Sequence, residues 1–439
     1  MIKISKEANP NYLCKVVELK NIRKHENADR LQVVTIDFQD VITGLDASKG
    51  DIYVYFPIEC QISEEFLSAT NEYRDKTLNQ DSEQSGFFEK NSRVRAVKLR
   101  GQKSMGYIVP AKSVFDWAEV TKDPGEFVGQ EFDTINNNLL VKKYVIPRRS
   151  SGGQNRQGKK PKVTRLIDGQ IHLHVDTENL RRNAFKINPD DTISVTYKTH
   201  GTSFWVSNVK VKKKLGLFSR FLKFTGLKIQ DTEYDIVYGS RRVVKNSEFG
   251  DPKNRQHYYG TDIWGQIKDE IAEHIPKGYT LYGECLGYTK DGAWIQKDYD
   301  YGCEVGDHRL EIYRITFTNE DGLVTELTYP QIDEFCRKAG IECVHDIYVG
   351  RAGDMYGDDS KGDYIDDQDH NWAEQFIQQL ERDWNEKNCF MCNNKVPEEG
   401  IVVRKESLFS CESYKLKSFK FLERETKQLD SGEENIEDN

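Results

Sequence analysis

The stretch TYKTHGTSF, residues 196–204, runs from a β-prone segment into a lysine, a histidine and a glycine. A lone KxxG tetrapeptide is common by chance, and a lysine in a strand is usually a solvated side chain. Lys198 becomes a candidate nucleophile because five further motifs follow it in order over about 220 residues. These motifs are YGSRR at 238–242, YGECLG at 282–287, EIYRI at 311–315, EEGIVVR at 398–404 and YKLKS at 414–418.

The order of these motifs resembles that of the covalent nucleotidyltransferases, and their wording is most similar to the RNA ligases of that superfamily. The likeness is strong from Val163 to Lys420 and weaker from Tyr12 to Pro110. Within the ligases, it is greatest to the class in which an OB domain precedes the nucleotidyltransferase domain. In that family ATP adenylylates the motif lysine, which Lys198 matches. A histidine two residues after this lysine is typical of RNA ligases, whereas DNA ligases and capping enzymes often have aspartate, so His200 favours RNA.

A lysine amine can attack the α-phosphorus of a nucleoside triphosphate and hold the nucleotide as a phosphoramidate, which divides one difficult transfer into two steps. The attacking amine must be neutral, although the reference pKa of lysine is about 10.4. Nearby positive charge is therefore required. We expect Mg²⁺ or Mn²⁺, together with Lys415 and Lys417, to provide it and to stabilise the charge that develops on the phosphate.

The resemblance implies roles for the other motif residues. Glu284 and Glu399 supply oxygen ligands for the metal, for its waters or for the ribose hydroxyls. Tyr313 stacks on the base, with Phe317 as the alternative. The expected nucleotide contacts are made by His200, Gly201, Glu284, Tyr313, Glu399, Lys415 and Lys417. Ser240 and Arg241 are expected to contact the nucleic acid end. For His200, a purely structural role in a turn remains the alternative.

Short strands separated by turn residues predict a β-barrel at the N-terminus. Residues 12–58 contain four such runs, YLCKVVELKNI, LQVVTID, DVITGL and DIYVYFP. The segment HENADRLQVVTI, from His25 to Ile36, resembles the start of OB-type tRNA-binding domains. We therefore predict an OB-type nucleic-acid-binding barrel over residues 1–140.

The predicted fold class is α+β. A basic, Gly- and Ser-rich segment at 141–162 is interpreted as a linker. Residues 163–423 are expected to form the nucleotidyltransferase domain, of the ATP-grasp-like ligase type, in which antiparallel sheets carry helices within TDIWGQIKDEIAEHI, PQIDEFCRKAG and NWAEQFIQQLERDWNEK. The acidic residues 424–439 are expected to be disordered.

Charge is unevenly distributed along the 439 residues, whose formal net charge is −9. The stretches 141–165 and 208–228 contain nine and seven Lys or Arg residues respectively, and neither contains an acid. We expect both to grip RNA phosphates around a break. The role of an acidic segment near 351–370 is left open.

Nine cysteines and the lack of a run of roughly 18 apolar residues predict a soluble, cytoplasmic protein with reduced thiols and no membrane partner. The Cys389–Cys392 pair has no second CxxC to complete a zinc site, so structural thiols are favoured. The expected partners are RNA ends in a nicked duplex, and the expected state is a monomer.

The expected activity is the sealing of 3′-hydroxyl/5′-phosphate RNA breaks. Lys198 takes AMP from ATP, the AMP passes to the 5′-phosphate, and the 3′-hydroxyl then displaces it. Two alternatives remain open: a GTP-dependent capping guanylyltransferase, and a nucleic-acid-binding protein without catalysis.

Overall fold

The first 145 residues form an antiparallel β unit that carries two short helices. A computed structural model describes residues 1–145, 165–174, 176–245, 259–355, 371–408 and 410–430. The strands of this N-terminal unit are β1 (Ile2–Lys3), β2 (Cys14–Glu18), β3 (Asn21–Lys24), β4 (Leu31–Ile36), β5 (Gln39–Gly44), β6 (Ile52–Pro57), β7 (Cys60–Ile62), β8 (Val97–Leu99), β9 (Gln102–Ser104), β10 (Gly106–Pro110), β11 (Glu131–Phe132), β12 (Thr134–Ile135), β13 (Asn138–Leu139) and β14 (Val141–Lys143). Its helices are α1 (Glu64–Ala69) and α2 (Ala111–Trp117).

The centre of this unit is the four-stranded sheet β10-β6-β2-β11. Strand β6, IYVYFP, is rich in β-branched and aromatic residues and is buried along most of its length, as expected for a central strand. The other strands pair as β1-β12-β13, β3-β4-β5, β8-β9 and β14-β7. The predicted β unit is therefore present, but the hydrogen-bonded pairings within residues 1–145 do not close into one barrel.

The remainder of the chain is a mixed α+β unit built on two sheets. Its strands are β15 (Glu178–Asn179), β16 (Thr192–Lys198), β17 (Thr202–Lys212), β18 (Thr232–Ser240), β19 (Val243–Val244), β20 (Tyr279–Gly287), β21 (His308–Thr318), β22 (Val324–Glu326), β23 (Glu342–Cys343), β24 (Asp346–Arg351), β25 (Gly400–Lys405) and β26 (Glu412–Lys417). One sheet has the order β15-β26-β25-β16-β24, and the other has the order β19-β18-β17-β20-β21-β22 with β23 beside β21. Most pairs are antiparallel, as predicted; β15 with β26 and β21 with β23 are parallel.

The helices of this unit are α3 (Leu180–Asn183), α4 (Leu217–Phe224), α5 (Ile263–Ile271), α6 (Tyr329–Ala339), α7 (Asn371–Asp383) and α8 (Phe419–Asp430). Helices α5, α6 and α7 lie where the sequence predicted helices. Helix α6 shows why: Thr328 and Gln331 form a capping box, Pro330 occupies the first turn, and Gly340 ends the helix in the left-handed conformation at φ 66°.

The chain passes from the first sheet to the second between Lys198 and Thr202. Strand β16 belongs to the five-stranded sheet, and β17, separated from β16 by three residues, belongs to the other. Residues 199–201 are therefore the connection between the two sheets. The THG part of the candidate motif lies at this crossing.

Helix α8 joins the C-terminal unit to the N-terminal core. Phe419 and Leu422 are buried in the same apolar cluster as residues of β2, β6 and α2. Arg93 Nη2 donates to Thr426 Oγ1 at 2.8 Å, and Arg95 Nη1 lies 3.1 Å from Asp430 Oδ2. Because its apolar face is covered in this way, α8 continues through Asp430, and residues 424–430 of the predicted tail are helical. Residues 431–439 lie outside the described residues.

A buried arginine makes a second connection between the units. Arg182 Nη1 donates to the carbonyl of Leu13 at 2.9 Å, and its Nη2 lies 2.5 Å from Glu131 Oε1. At the predicted linker, residues 141–143 form β14, which pairs with β7; residues 146–162 lie outside the described residues, as do 356–370 of the acidic segment. Among the helices in the described part of the chain, none is long and apolar enough to cross a membrane.

Replacing Leu422 with alanine should test the contribution of α8. The side chain is fully buried between the units, so we expect a loss of roughly 2–5 kcal/mol in the free energy of unfolding. Urea unfolding followed by tryptophan fluorescence measures this loss. Lys427→Ala, at an exposed position of the same helix, is the control, and we expect a change within about 0.5 kcal/mol. Equal losses in the two variants would contradict the packing role of α8.

Candidate active site

Strand pairing brings Lys198 next to Glu399. Lys198 is the last residue of β16 and lies opposite Gly400, the first residue of β25. Its Nζ lies 2.5 Å from Glu399 Oε1, and the Glu399 side chain is fully buried. A buried carboxylate requires a charged partner to offset its desolvation. Two motifs separated by about 200 residues of sequence thus meet in one ion pair.

Close backbone approach explains two of the motif glycines. A Cβ on Gly201 would lie 2.2 Å from the carbonyl oxygen of Cys285 and 2.9 Å from Glu284 Cγ. A Cβ on Gly400, whose φ is +151°, would lie 2.2 Å from the carbonyl oxygen of Leu416. The sequence predicted that Gly201 lets the backbone pass beneath a nucleotide; the neighbour that actually crowds it is β20.

His200 is held by aromatic residues behind the lysine. Its backbone N–H donates to the hydroxyl of Tyr301 at 2.6 Å. Its ring makes edge contacts with Tyr299 and Phe421, with centroids 4.9 and 4.8 Å apart. Its Nδ1 lies 3.6 Å from Glu399 Oε2. The histidine is therefore placed to support Glu399 from within the protein.

The acidic and aromatic motif residues lie on adjacent strands of the second sheet. Glu284 on β20 and Tyr313 on β21 both line a cavity that also contains Lys198. The hydroxyl of Tyr313 lies 3.1 Å from His174 Nδ1. Phe317, the alternative stacking residue, instead packs against Tyr279 at 5.4 Å between ring centroids, away from the cavity. Of the two aromatic candidates, only Tyr313 is in position to meet a ligand there.

His174 is a neutral partner for Tyr313. Burial lowers its pKa to about 3, and the positive charge of Arg241 acts in the same direction. Residues 171–174 around this histidine are irregular.

The two lysines of β26 face the same cavity. Lys415 and Lys417 are two residues apart in the strand and so point to one face of it. Lys417 Nζ lies 3.2 Å from Glu59 Oε1 and 3.7 Å from Glu425 Oε2. Burial alone would raise the pKa of Glu59, but the charges of Lys417 and Lys415 and hydrogen bonds with Glu425 and Lys417 together outweigh it and hold that pKa at about 2. The N-terminal unit thus contributes a carboxylate to the base of the cavity.

The two residues expected to contact nucleic acid are placed differently. Arg241 lines the cavity and pairs with Asp176, whose Oδ2 also accepts a bond from Asn9 Nδ2 at 2.8 Å. Although burial opposes it, the charges of Arg241 and Lys415 lower the pKa of Asp176. Ser240 is buried behind the cavity wall, and its carbonyl accepts a bond from Trp205 Nε1 at 2.8 Å.

The cavity has a volume of about 900 Å³ and lies between the two units. That volume is within the range of small-molecule and cofactor sites. Both units contribute residues to its wall, which includes Tyr12, Glu59, Lys143, Tyr144, His174, Asp176, Lys198, Arg241, Glu284, Tyr313, Lys415 and Lys417. His200, Gly201 and Glu399 lie just outside this wall.

Within the described residues, no group of three or more His, Cys, Asp or Glu side chains is arranged to hold a metal ion. A magnesium ion that is bound mainly by water and substrate phosphates needs only one or two carboxylates. Glu284, which faces the cavity, fits this requirement; Glu399 fits it if Lys198 moves away. Cys389 and Cys392 are both free cysteines, and within the described residues neither belongs to a group of potential metal ligands.

Residues 191–422, more than half of the chain, match the family model described as RNA ligase. The chain belongs to the RNA ligase family. The resemblance to RNA ligases inferred from the motifs is thereby confirmed. A comparison with curated protein sequences finds no match.

Solved structures share the fold of this RNA ligase. A variant of the Naegleria gruberi RNA ligase with AMP and Mn is 16% identical, with a TM-score of 0.57 over 94% of this chain and 98% of that one. Another variant, with ATP and Mn, is 17% identical with a TM-score of 0.55 over 94% and 98%. The same Naegleria ligase with PPi is 15% identical with a TM-score of 0.54 over 95% and 99%. At these identities the likeness establishes the fold.

Several site residues of this RNA ligase were missed in the sequence. Glu59 and Asp176 carry charges that meet Lys417 and Arg241, but they lie in segments without a motif. Tyr301, whose hydroxyl accepts a hydrogen bond from the His200 N–H, lies in a segment without a recognisable motif. Only the packing of the two units brings Glu59 to the ligase motifs, so no local pattern signals it.

The contact between Glu59 and Lys417 should give the ligase a measurable pH dependence. The pKa of Glu59 is lowered from its usual 4.5 to about 2 in the folded protein, so its stabilisation is complete above pH 4.5 and is lost as the pH falls towards 2. We expect Glu59→Gln to reduce the free energy of unfolding by roughly 1–3 kcal/mol at neutral pH, because Lys417 loses a charged partner.

The difference between wild type and Glu59→Gln should shrink as the pH falls below 4.5. Urea unfolding at several pH values measures it. The same change at the exposed Glu26 serves as the control, and we expect an effect within about 0.5 kcal/mol at every pH. A difference that is constant from neutral to acid pH would show that the charge of Glu59 contributes nothing.

Proposed function

We propose that this RNA ligase seals 3′-hydroxyl/5′-phosphate breaks with ATP through a lysyl-AMP intermediate. Lys198 Nζ attacks the α-phosphorus of ATP, forming an N–P bond and releasing pyrophosphate, while the amine loses its proton. The RNA 5′-phosphate then displaces the lysine and takes the AMP. Finally, the 3′-hydroxyl attacks that phosphate, releasing AMP and forming the phosphodiester.

The observation that carries this proposal is the position of Lys198. Its side chain lies at the cavity wall, 2.5 Å from the buried Glu399, with Lys415 and Lys417 lining the same cavity. The ion pair favours the charged amine, so the ligand-free arrangement holds the nucleophile in place but inactive. Attack requires that Glu399 be drawn to another cation or that nearby positive charge increase.

We assign the remaining residues as follows. Tyr313 stacks on the adenine, and Glu284 meets the ribose or the metal. Lys415 and Lys417 neutralise phosphate charge as pyrophosphate leaves. A bound Mg²⁺ or Mn²⁺, held by Glu284 and Glu399 together with the phosphates, would supply positive charge at the triphosphate. His200 and Gly201 shape the loop that carries Lys198, and Ser240 supports Arg241.

Arg241 is the residue we assign to the RNA 5′-phosphate. It lines the cavity, and in the ligand-free protein a carboxylate, that of Asp176, occupies its guanidinium. Arginine binds phosphate and carboxylate with the same planar donor geometry. The phosphate of the RNA end can therefore replace Asp176 as its partner.

We further propose that residues 1–140 act as an OB-type nucleic-acid-binding unit and that 163–423 are the transferase unit. The support is the shared cavity, to which Tyr12 of residues 1–140 contributes an aromatic group, and Lys143 and Tyr144, just after them, contribute a basic and an aromatic group. Base stacking and phosphate contacts are how OB-type surfaces bind strands. The proposed substrate is a nicked RNA duplex, bound by a monomer.

Labelling with α-³²P-ATP tests the nucleophile. We expect label on the wild-type protein that survives denaturation, none on Lys198→Ala, and normal labelling on Lys49→Ala, which alters an exposed lysine far from the motifs. Labelling of Lys198→Ala would contradict the assignment of the nucleophile. Preferential labelling by GTP would instead favour the guanylyltransferase alternative, and the absence of any label on the wild type would favour a non-catalytic protein.

A sealing assay on matched nicked duplexes tests the substrate. We expect sealing when RNA lies on both sides of the nick and at least about tenfold slower sealing of the all-DNA duplex, because contacts to 2′-hydroxyls and A-form geometry distinguish the two. Time courses on gels with a labelled 5′-phosphate measure both rates. Equal rates on RNA and DNA would contradict the assignment to RNA.

A further inference from the structure

A short excursion between β17 and β18 presents an unusual helix. Its ends meet where the Lys213 N–H donates to the carbonyl of Asp231 at 2.7 Å. Between these residues lies α4, which Gly216 precedes and Gly226, with φ +84°, follows. The helix is thus held at the tip of a two-stranded hairpin.

The apolar face of α4 is exposed to solvent. Leu217, Phe218, Phe221 and Phe224 are 86, 73, 61 and 89% exposed. At 100° per residue these four positions fall within one arc of the helix, and Ser219 and Lys223 fall on the opposite side. Lys223 Nζ lies 2.5 Å from Asp231 Oδ2, so an ion pair connects the polar side of α4 to the base of the excursion. The apolar side therefore faces outwards.

Positive charge surrounds this apolar face. Residues 208–228 contain seven Lys or Arg and no acid. Lys212, Lys213 and Lys214 precede the helix and are exposed, and exposed Lys228 follows it. Exposed bulky apolar groups next to cations are characteristic of helices that lie in the interface of an anionic membrane.

Other occupants fit this surface less well. Two copies of the excursion, residues 213–231, would bring ten Lys and Arg residues together (five each), which opposes self-association. RNA phosphates could contact the cations, and bases could stack on phenylalanine. RNA would not bury the exposed aliphatic side chains of Leu217 and of Leu227, the latter 57% exposed. A partner protein that encloses a helix in a groove is disfavoured, because both ends of α4 connect to the same hairpin.

We propose that α4 and its flanking lysines form an interfacial anchor that docks this RNA ligase on anionic phospholipid surfaces. The phenylalanine and leucine side chains enter the boundary between headgroups and acyl chains, and the lysines contact the lipid phosphates. The expectation of no membrane partner rested on the absence of a spanning apolar run. That criterion does not detect an amphipathic helix of eight residues.

The anchor and the active site lie at opposite ends of one strand. Strand β17 has eleven residues, begins just after Gly201 and ends at the excursion. At about 3.3 Å per residue it spans about 36 Å. A membrane bound at the tip therefore leaves the cavity open, and RNA phosphates at the cavity need not compete with lipid phosphates at the tip.

Flotation of the full-length protein with vesicles tests the proposal. We expect binding to phosphatidylcholine vesicles that contain phosphatidylserine, little binding to phosphatidylcholine alone, and loss of binding as salt is raised. The double variant Phe218→Ser, Phe224→Ser should bind at least about tenfold more weakly, because two apolar groups no longer leave water. Phe185→Ser, which alters a phenylalanine that is 68% exposed elsewhere, should bind as wild type does.

RNA sealing measured in parallel separates this proposal from the proposed function. We expect the Phe218, Phe224 double variant to seal nicked RNA at the wild-type rate without vesicles. Failure of the wild type to float with phosphatidylserine vesicles would overturn the anchor, as would equal binding of the double variant. Weaker RNA affinity in the double variant with unchanged flotation would also overturn it and would assign α4 to RNA.

Discussion

The buried carboxylate of Glu399 constrains the arrangement of the active site. A charge without solvent must be paired, and Lys198 is its partner at 2.5 Å. The pairing is possible because β16 and β25 run antiparallel with Lys198 opposite Gly400, and because Gly400 has no side chain to push β26 away. The same contact keeps the amine directed at the cavity. The pair thus links the packing of the first sheet to the position of Lys198, the proposed nucleophile.

The second constraint is that the cavity belongs to both units. Glu59 reaches Lys417 from the N-terminal side, and α8 follows Lys417 directly in the chain and packs into the N-terminal core. Lys417 therefore lies between a strand that lines the cavity and a helix that joins the units. Any movement between the units alters the charge at the base of the cavity. The contact between the two units therefore contributes to the electrostatics of the site.

The motifs made much of the site predictable. Lys198, Glu284 and Lys415 were identified from the order of the motifs in the sequence, and all three line the cavity. Phe317 and Tyr313 could not be separated by spacing, because both lie on β21 and only its position in the sheet decides which one meets the cavity. Glu59 was unpredictable because its partner lies 358 residues away.

Longer elements were predictable where local signals agreed. Helix α6 has a capping box, an early proline and a terminal glycine, and it was found within one residue of its predicted bounds. Residues 424–430 were predicted to be disordered from their acidic composition, whereas burial of Phe419 and Leu422 against the N-terminal unit accompanies a helix that continues to Asp430. The pairings of residues 1–145 depend on long-range register, which alternation alone does not determine.

The two ends of the β17–β18 hairpin differ in the arrangement of their charges. Strand β17 leaves the Lys198 loop, and β18 returns from the excursion to Arg241 at the cavity. Acids partner the cations at the cavity end, as Asp176 does for Arg241. At the other end, the segment 208–228 carries no acid of its own, and Lys212, Lys213, Lys214 and Lys228 are exposed together with the apolar face of α4. The proposed phosphate site and the proposed lipid anchor thus lie on the same pair of strands, separated by about 36 Å of regular β structure.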